Sequence, residues 1–417
     1  MTAYSFSTIN HVKSSSSREF FIVFGFLFIL NPLVSIFCGA SWLILKKNPV
    51  ESELRFWFVL MALWISLVNI TKVPASDQMM YLRWYDSLEN INSIGRIFQY
   101  SGDEKVYKEP IYGLFQFICH TVYFGNDKLF FLTASFISYY FCFLAVGIIL
   151  QKAGQGLNAV IFGVVCCTFF NQFFYLSIHL LRQIMAFSIV LYAIALRTQD
   201  GRNHWIPLIC APMIHTTAAL FALLAILPYI YHRMNLREYL IMLCPLLVVT
   251  VGSIAFGSMM TSFFGDNSAS VYAFKRMSTN FNDGLEANPI VIAIMLTPLS
   301  IISLLTLKRL PKSKNNKSTS PLYPIIYLFL FLAIMILSLS ARPLMQYRFT
   351  FVTYQFLPFL LPLLFQPKSI WRNPFFIITG IFFILRFLLT FDGGTWIYKI
   401  TALDMLSWPV PFYFFAL

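Results

Sequence analysis

The stretch LSIHLLRQIMAF, Leu176 to Phe187, sets an imidazole and a guanidinium three positions apart inside a long apolar run. A charge at hydrocarbon depth costs about 2.5–3.5 kcal/mol on insertion scales, so Arg182 is either a snorkelling side chain or a working one. On a helix, His179, Arg182, Gln183 and Ala186 share one face through their i, i+3, i+4 and i+7 spacing. That face is too polar for a stripe that meets lipid. Two more guanidiniums, Arg342 and Arg348, stand in ARPLMQYRFT beside another apolar run. The planar fork of arginine matches phosphate oxygens, and a lipid diphosphate is an anion that sits at the rim of a bilayer. The three arginines therefore read as a clamp for such a group.

The remaining chemistry is acidic, imidazole and aromatic. Asp77 opens the pattern Asp77, Tyr81, Tyr85, which a helix stacks on one face. It is the preferred base for a hydroxyl nucleophile, with Glu109 or a neutral histidine as substitutes. Glu109 precedes Pro110, where a carboxylate also serves as a cap or dipole partner. His215, in CAPMIHTTAA, falls where two short apolar segments, 205–216 and 217–231, could meet as half-helices. A core histidine is the plainer reading in general, but inside a membrane an ionisable group more often works. Tyr81, Trp84 and Tyr85 offer apolar faces for sugar rings; the plainer reading is an interfacial aromatic belt. No metal-ligand pattern and no phosphate-binding glycine loop is present, so neither a metal nor a nucleotide is expected as cofactor.

These residues need elements to hold them, and composition names the class. The chain has 417 residues, 58% hydrophobic and 11% charged, where a soluble domain has about 25% charged residues. It reads as one all-α, polytopic membrane domain over 1–417. Seven cysteines lie in apolar segments without metal spacing and read as packing residues. The first apolar run, from near Phe20, lacks a small-residue cleavage pattern and reads as a span.

Apolar runs of about 17–25 residues mark about twelve spans, near 20–45, 54–71, 129–150, 157–176, 180–197, 205–216, 217–231, 238–260, 288–307, 321–340, 349–366 and 374–391. The stretch 110–124 is too short to cross and aromatic-rich, and reads as a helix lying in the interface. Alternate loops differ in charge. Those at 46–55, 151–156, 197–204, 232–238, 308–317 and 367–373 hold 15 basic and 4 acidic residues, and the rest hold 15 and 13. The basic loops, above all 308–320, are expected in the cytoplasm. Both chain ends, the large loop 71–128 with its interfacial helix and the loop 261–287 are then expected outside. The net charge of +13 is a topology signal and no sign of nucleic acid.

Several motifs taken together resemble a family. LLRQIMAFSIVLYAIAL followed by PMIHTTAALFALLAILPY, the basic loop KKNPVESELR, Asp77-x-x-x-Tyr81, Glu109-Pro-Ile-Tyr112 and the late Arg342…Tyr347-Arg348 resemble the EpsG/Wzy-type polysaccharide polymerases. One departure is Ser76, where that family often has glycine before the aspartate. The resemblance implies a GT-C-like, metal-independent enzyme of the bacterial inner membrane. It would join undecaprenyl-diphosphate-linked repeat units at the periplasmic face into O-antigen, capsule or exopolysaccharide, with the bilayer and a chain-length regulator as partners. Arg182, Arg342, Arg348, His215 and Asp77 would carry catalysis; His179, Gln183, Tyr81, Trp84, Tyr85, Glu109 and Tyr112 would bind substrate. The competing readings are a lipid-linked oligosaccharide flippase, which would distribute its cations through the membrane, and a single-addition membrane glycosyltransferase.

Overall fold

A computed structural model describes residues 15–46, 49–75, 77–91, 109–244, 289–310, 319–340, 343–393 and 397–416. These are helical, with no strand; two isolated bridges join Lys72 to Tyr398 and His232 to Thr319. Arg342, the loop 261–287 and residues 311–318 of the basic loop lie outside the described residues.

The helices that matter for position are α1 (Ser15–Leu30), α2 (Pro32–Leu45), α3 (Glu51–Ile70), α4 (Asp77–Ser87), α5 (Pro110–Val122), α6 (Asp127–Lys152), α7 (Leu157–Phe169), α8 (Asn171–Ser177), α9 (Leu181–Asp200), α10 (Trp205–Ile214) and α11 (Ala218–Ile226). Among the described residues five helices are long and apolar enough to cross a membrane: α3, α6, α9, Ile292–Arg309 and Arg372–Phe391. The pair α7 and α8, bent by 60°, makes a sixth if it is one broken span. Shorter apolar helices stand at Pro32–Leu45, Trp205–Ile214 and Tyr323–Ser338, and most of the expected span 238–260 lies outside the described residues. α6 packs along both α3 and α9 and forms the centre of the bundle. α6 runs antiparallel to α3, since Asn69 near the end of α3 donates to Ser135 Oγ near the start of α6 at 2.9 Å.

The first apolar segment differs from expectation. Residues 20–45 are two helices folded back on each other. Asn31 caps α2 by accepting from Val34 N–H at 3.1 Å, and Pro32 occupies the first helical position. Proline there cannot continue the preceding helix, because it lacks an N–H and its ring crowds the carbonyl four residues back. The two outer ends of the hairpin meet at one carboxylate: Ser17 Oγ donates to Glu53 at 2.9 Å and Lys46 Nζ at 2.7 Å. At the tip, Asn31 Nδ2 donates to the Leu406 carbonyl at 2.8 Å. Ser17 thus stands at the Glu53 end of α3. The C-terminal residues stand at the other, where Lys128 at the start of α6 donates to Phe414 O at 2.7 Å. The described ends of the chain lie at opposite ends of the bundle, not at one end as the alternation of loops suggested.

Candidate active site

The polar residues meet where α4, α5, the start of α9 and the α10–α11 break converge. α10 ends at Ile214, with Pro212 in its last turn, and His215 continues in an extended conformation (φ −153°, ψ 124°) before α11 begins. This break turns the imidazole toward the start of α5. There Glu109 occupies the residue before Pro110 but does not cap the helix with its side chain. Its carboxylate reaches across the site instead. One oxygen accepts from Arg182 Nη1, and the other meets His215 Nδ1 at 2.5 Å. Glu109 is 6% exposed and Arg182 9%, so both charges are buried and each depends on the other. Burial pushes the Glu109 carboxyl up, but the His215 and Arg182 charges outweigh it and hold it at about 2.

Three aromatic rings close around the guanidinium. Arg182 Cζ lies 5.3 Å from the Tyr81 ring centre, 5.1 Å from Trp84 and 5.5 Å from Tyr112. Each distance is within the range of cation–π attraction, strongest where water is excluded. Tyr81 is pinned by donating its hydroxyl to the His179 carbonyl at 3.1 Å. Burial raises the pKa of the Tyr81 and Tyr112 hydroxyls, so both stay protonated donors. Tyr112 Oη, Gln116 Nε2, Gln78 Oε1 and Arg182 Nε are buried and have no hydrogen-bond partner among the described residues. An unmade hydrogen bond costs about 1–3 kcal/mol per buried group; such atoms also occur on Trp64, Tyr139 and Tyr323, away from this cluster.

Other candidates fall elsewhere. Asp77, at the start of α4, lies 3.7 Å from Arg348; their side chains are 36% and 24% exposed, a looser pair than Glu109 and Arg182. His179 does not share a helical face with Arg182. It sits in the turn between α8 and α9, buried, and burial together with the charge of Lys72 pushes its imidazole down to about 3. Gln183 is buried on the first turn of α9, and no hydrogen bond joins it to Glu109 among the described residues. Tyr85 turns away: its ring stacks on Phe130 (4.6 Å, 19°), and its hydroxyl donates to Asn126 O at 3.4 Å. A four-residue step on a helix advances about 40° beyond a full turn, so two steps carry Tyr85 about 80° from Asp77. Among the described residues no three His, Cys, Asp or Glu side chains gather as a metal-ligand set.

Sequence reasoning passed over Lys72. It is buried just after α3, where its Nζ donates to Tyr175 O at 3.0 Å and faces the Tyr398 ring at 6.0 Å. A lysine directly after an apolar helix looks like an ordinary boundary residue, and no spacing in the sequence marks it out. Gln78 and Gln116 were passed over for the same reason.

A family model matches residues 54–399, which include every residue of this cluster. The chain belongs to the EpsG family. No curated protein and no solved structure matches it. EpsG membership supports a polysaccharide-polymerase type of function on a multi-pass membrane scaffold, and the long apolar helices agree with that scaffold. Within the stretch matched by the EpsG family, the Glu109–Arg182–His215 group draws on residues up to 106 positions apart.

Proposed function

We propose that this EpsG-family chain polymerises lipid-linked glycan repeat units at the outer face of the bacterial inner membrane, with undecaprenyl diphosphate as the leaving group. The observation that carries the reading is the buried carboxylate held between a guanidinium and an imidazole and walled by Tyr81, Trp84 and Tyr112. In the reaction an acceptor hydroxyl attacks the anomeric carbon of the donor, the bond from that carbon to the diphosphate oxygen breaks, and the hydroxyl proton needs a base.

His215 fits the base best. With Nδ1–H donated to Glu109, the ring is oriented so that Nε2 faces the acceptor, the arrangement that a carboxylate–histidine pair uses to fix a tautomer, and the proton is taken by the ring in its deprotonated form. Glu109, held at about 2, is a weak base but a strong orienter. Arg348, half-exposed and loosely held by Asp77, exchanges its carboxylate partner for a diphosphate oxygen, and Arg182 adds positive charge behind it. Arg342 is assigned to the same clamp from its sequence position. The unsatisfied Tyr112, Gln116 and Gln78 groups suit sugar hydroxyls, and the apolar ring faces of Tyr81 and Trp84 suit the C–H face of a pyranose. The basic helix ends, which include Lys152, Arg197 and Arg233, face the cytoplasm by the positive-inside rule, and the Glu109 cluster lies outside. The hairpin of α1 and α2 then enters from the cytoplasmic side and returns to it.

The test is a polysaccharide gel of a deletion strain complemented with variants. The deletion should show lipid capped by one repeat unit in place of a ladder. His215→Ala should give the same pattern at normal protein level. A full ladder from His215→Ala would sink the assignment of the base. A deletion strain with an incomplete repeat unit would point to a single-addition transferase.

A further inference from the structure

A polar cavity lies at the other end of α9 from the Glu109 cluster. Arg182 and Arg197 are separated by about 22 Å along that helix at 1.5 Å per residue. The cavity measures about 450 Å³ and is walled by Lys152, Arg197, Tyr231 and the hydroxyl-bearing Thr198, Thr319 and Ser320, among others. That volume is within the range of small-ligand sites. Among the described residues no carboxylate lines it. Asp200, the nearest acidic residue in sequence, is turned to the Arg202 main-chain N–H at 2.9 Å and to His204 at 3.0 Å.

The two cations are fixed in place by helix ends. Lys152 Nζ donates to Thr198 O and, at 2.9 Å, to Gln199 O, and so uses two of its three N–H donors. Arg197 donates from Nη1 to Ala225 O at 2.7 Å and Ile226 O at 2.6 Å, and its guanidinium lies 4.1 Å over the Tyr231 ring. A helix C-terminus carries about half a negative charge. The ends of α6, α9 and α11 therefore do not cancel two full positive charges, and the cavity stays net positive. Gly201, at φ 77°, closes α9 in the left-handed region and leaves open space beside its Cα. A smaller cavity of about 300 Å³ repeats the pattern, with Arg309 and Lys368 in its wall and again no carboxylate among the described residues.

We propose that the cavity between Lys152, Arg197 and Tyr231 binds a phosphate-bearing anion, either the headgroup of an anionic phospholipid or free phosphate. Its cytoplasmic placement rests on the topology in the preceding section; the binding itself does not. Basic hollows between membrane helices on the cytoplasmic side are where anionic headgroups gather. The site lies a helix length from the reacting groups and uses none of them.

Purified full-length protein in neutral detergent, offered phosphatidylglycerol or phosphatidylcholine and read by native mass spectrometry, tests this. Phosphatidylglycerol should be retained and phosphatidylcholine not. Thr319 is exposed on the cavity wall, so Thr319→Glu adds an opposing charge without disturbing the core. It should lower occupancy about fivefold, the equivalent of one surface charge, while Thr319→Gln binds as wild type. Displacement of the lipid by inorganic phosphate identifies free phosphate as the ligand; persistence identifies the headgroup. Equal retention of both lipids, equal occupancy in Thr319→Glu and wild type, or equal loss in the Glu and Gln variants overturns the proposal. The assay reads no polymer, so its failure and that of the polymerase reading are separable.

Discussion

The two ends of this bundle use arginine differently. At one end four guanidiniums bond main-chain carbonyls: Arg197 those of Ala225 and Ile226, Arg233 that of Leu310, Arg309 that of Leu364, and Arg372 that of Gln155 together with its side-chain oxygen. Cations at helix C-termini satisfy orphan carbonyls and complement the helix dipole, which is structural work. At the other end Arg182 meets a carboxylate and three rings, and Arg348 a carboxylate. A cation that satisfies backbone is held by the fold alone. A cation buried against an acid is held by a second charge that had to be desolvated with it, a costly arrangement that stability alone does not favour. Among the described residues a guanidinium buried against an acid occurs at the Arg182 end alone; at the other end Arg55 meets Glu51 at the surface and the buried Glu53 is held by Lys46.

That contrast is broken first at Arg182. Arg182→Met leaves Glu109 buried with its guanidinium gone, and loss of one partner of a buried pair costs about 3–5 kcal/mol. Thermal unfolding of the purified variant should fall accordingly, and the polysaccharide ladder should vanish. Adding Glu109→Gln should recover part of the stability and none of the polymer. If the double variant makes long chains, the pair is scaffold after all, and the two ends of the bundle do not differ in kind.

His215 and Asp77 sharpen the comparison within the Glu109 end. Loss of a general base lowers rate by about 100- to 10,000-fold. His215→Gln should do this to polymer formation in membrane vesicles while stability changes little. Asp77→Asn should have the smaller effect, because Asp77 only restrains Arg348. The reverse order would make Asp77 the base and His215 a partner of Glu109 only.

The same ion pair should show in acid. The Glu109 carboxyl has an ordinary value of 4.5 and is held at about 2 in the folded chain. A lowered carboxyl stabilises the fold above its unfolded value and ceases to do so as pH falls through the folded one. The contribution, about 3 kcal/mol from a shift of that size, should be whole above pH 4.5 and gone near pH 2. In Glu109→Gln the acid limb of a stability–pH curve should flatten by that amount; an unchanged limb would remove Glu109 from the pair.

Much of the Glu109 cluster was legible because membranes make polar residues conspicuous. Arg182, His215 and Glu109 stand out in apolar surroundings, and the break at His215 follows from Pro212 and two short apolar runs. The choice between Glu109 and Asp77 was not legible. Glu109 sits before a proline at a helix start, where local chemistry suggests a cap, and its partners lie 73 and 106 residues away. Asp77 looked like the freer acid because nothing near it in sequence claims it. The hairpin at Asn31–Pro32 was hidden for another reason. Both arms are apolar, so hydropathy runs through the turn without a dip, and only the cap geometry and the shared Glu53 partner show the chain reversing. His179 was assigned to the helix of Arg182 because periodicity has no marker for the turn of 178–180.

The smallest expected effect lies at the scaffold end, and it is the control for all the others. Arg309 Nη1 reaches Leu364 O at 3.1 Å and Leu363 O at 3.5 Å from a largely exposed position. An exposed bond of this kind, shared with water, is worth about 0.5–1.5 kcal/mol net. Arg309→Gln removes the charge and keeps a donor, so unfolding should shift by no more than that and the polysaccharide ladder should keep its length. The charge-conserving Arg309→Lys should be closer still to wild type. If Arg309→Gln shortened chains at unchanged protein level, a cation bonded only to backbone would be serving polymerisation, and the contrast between the two ends would fail at its simplest member.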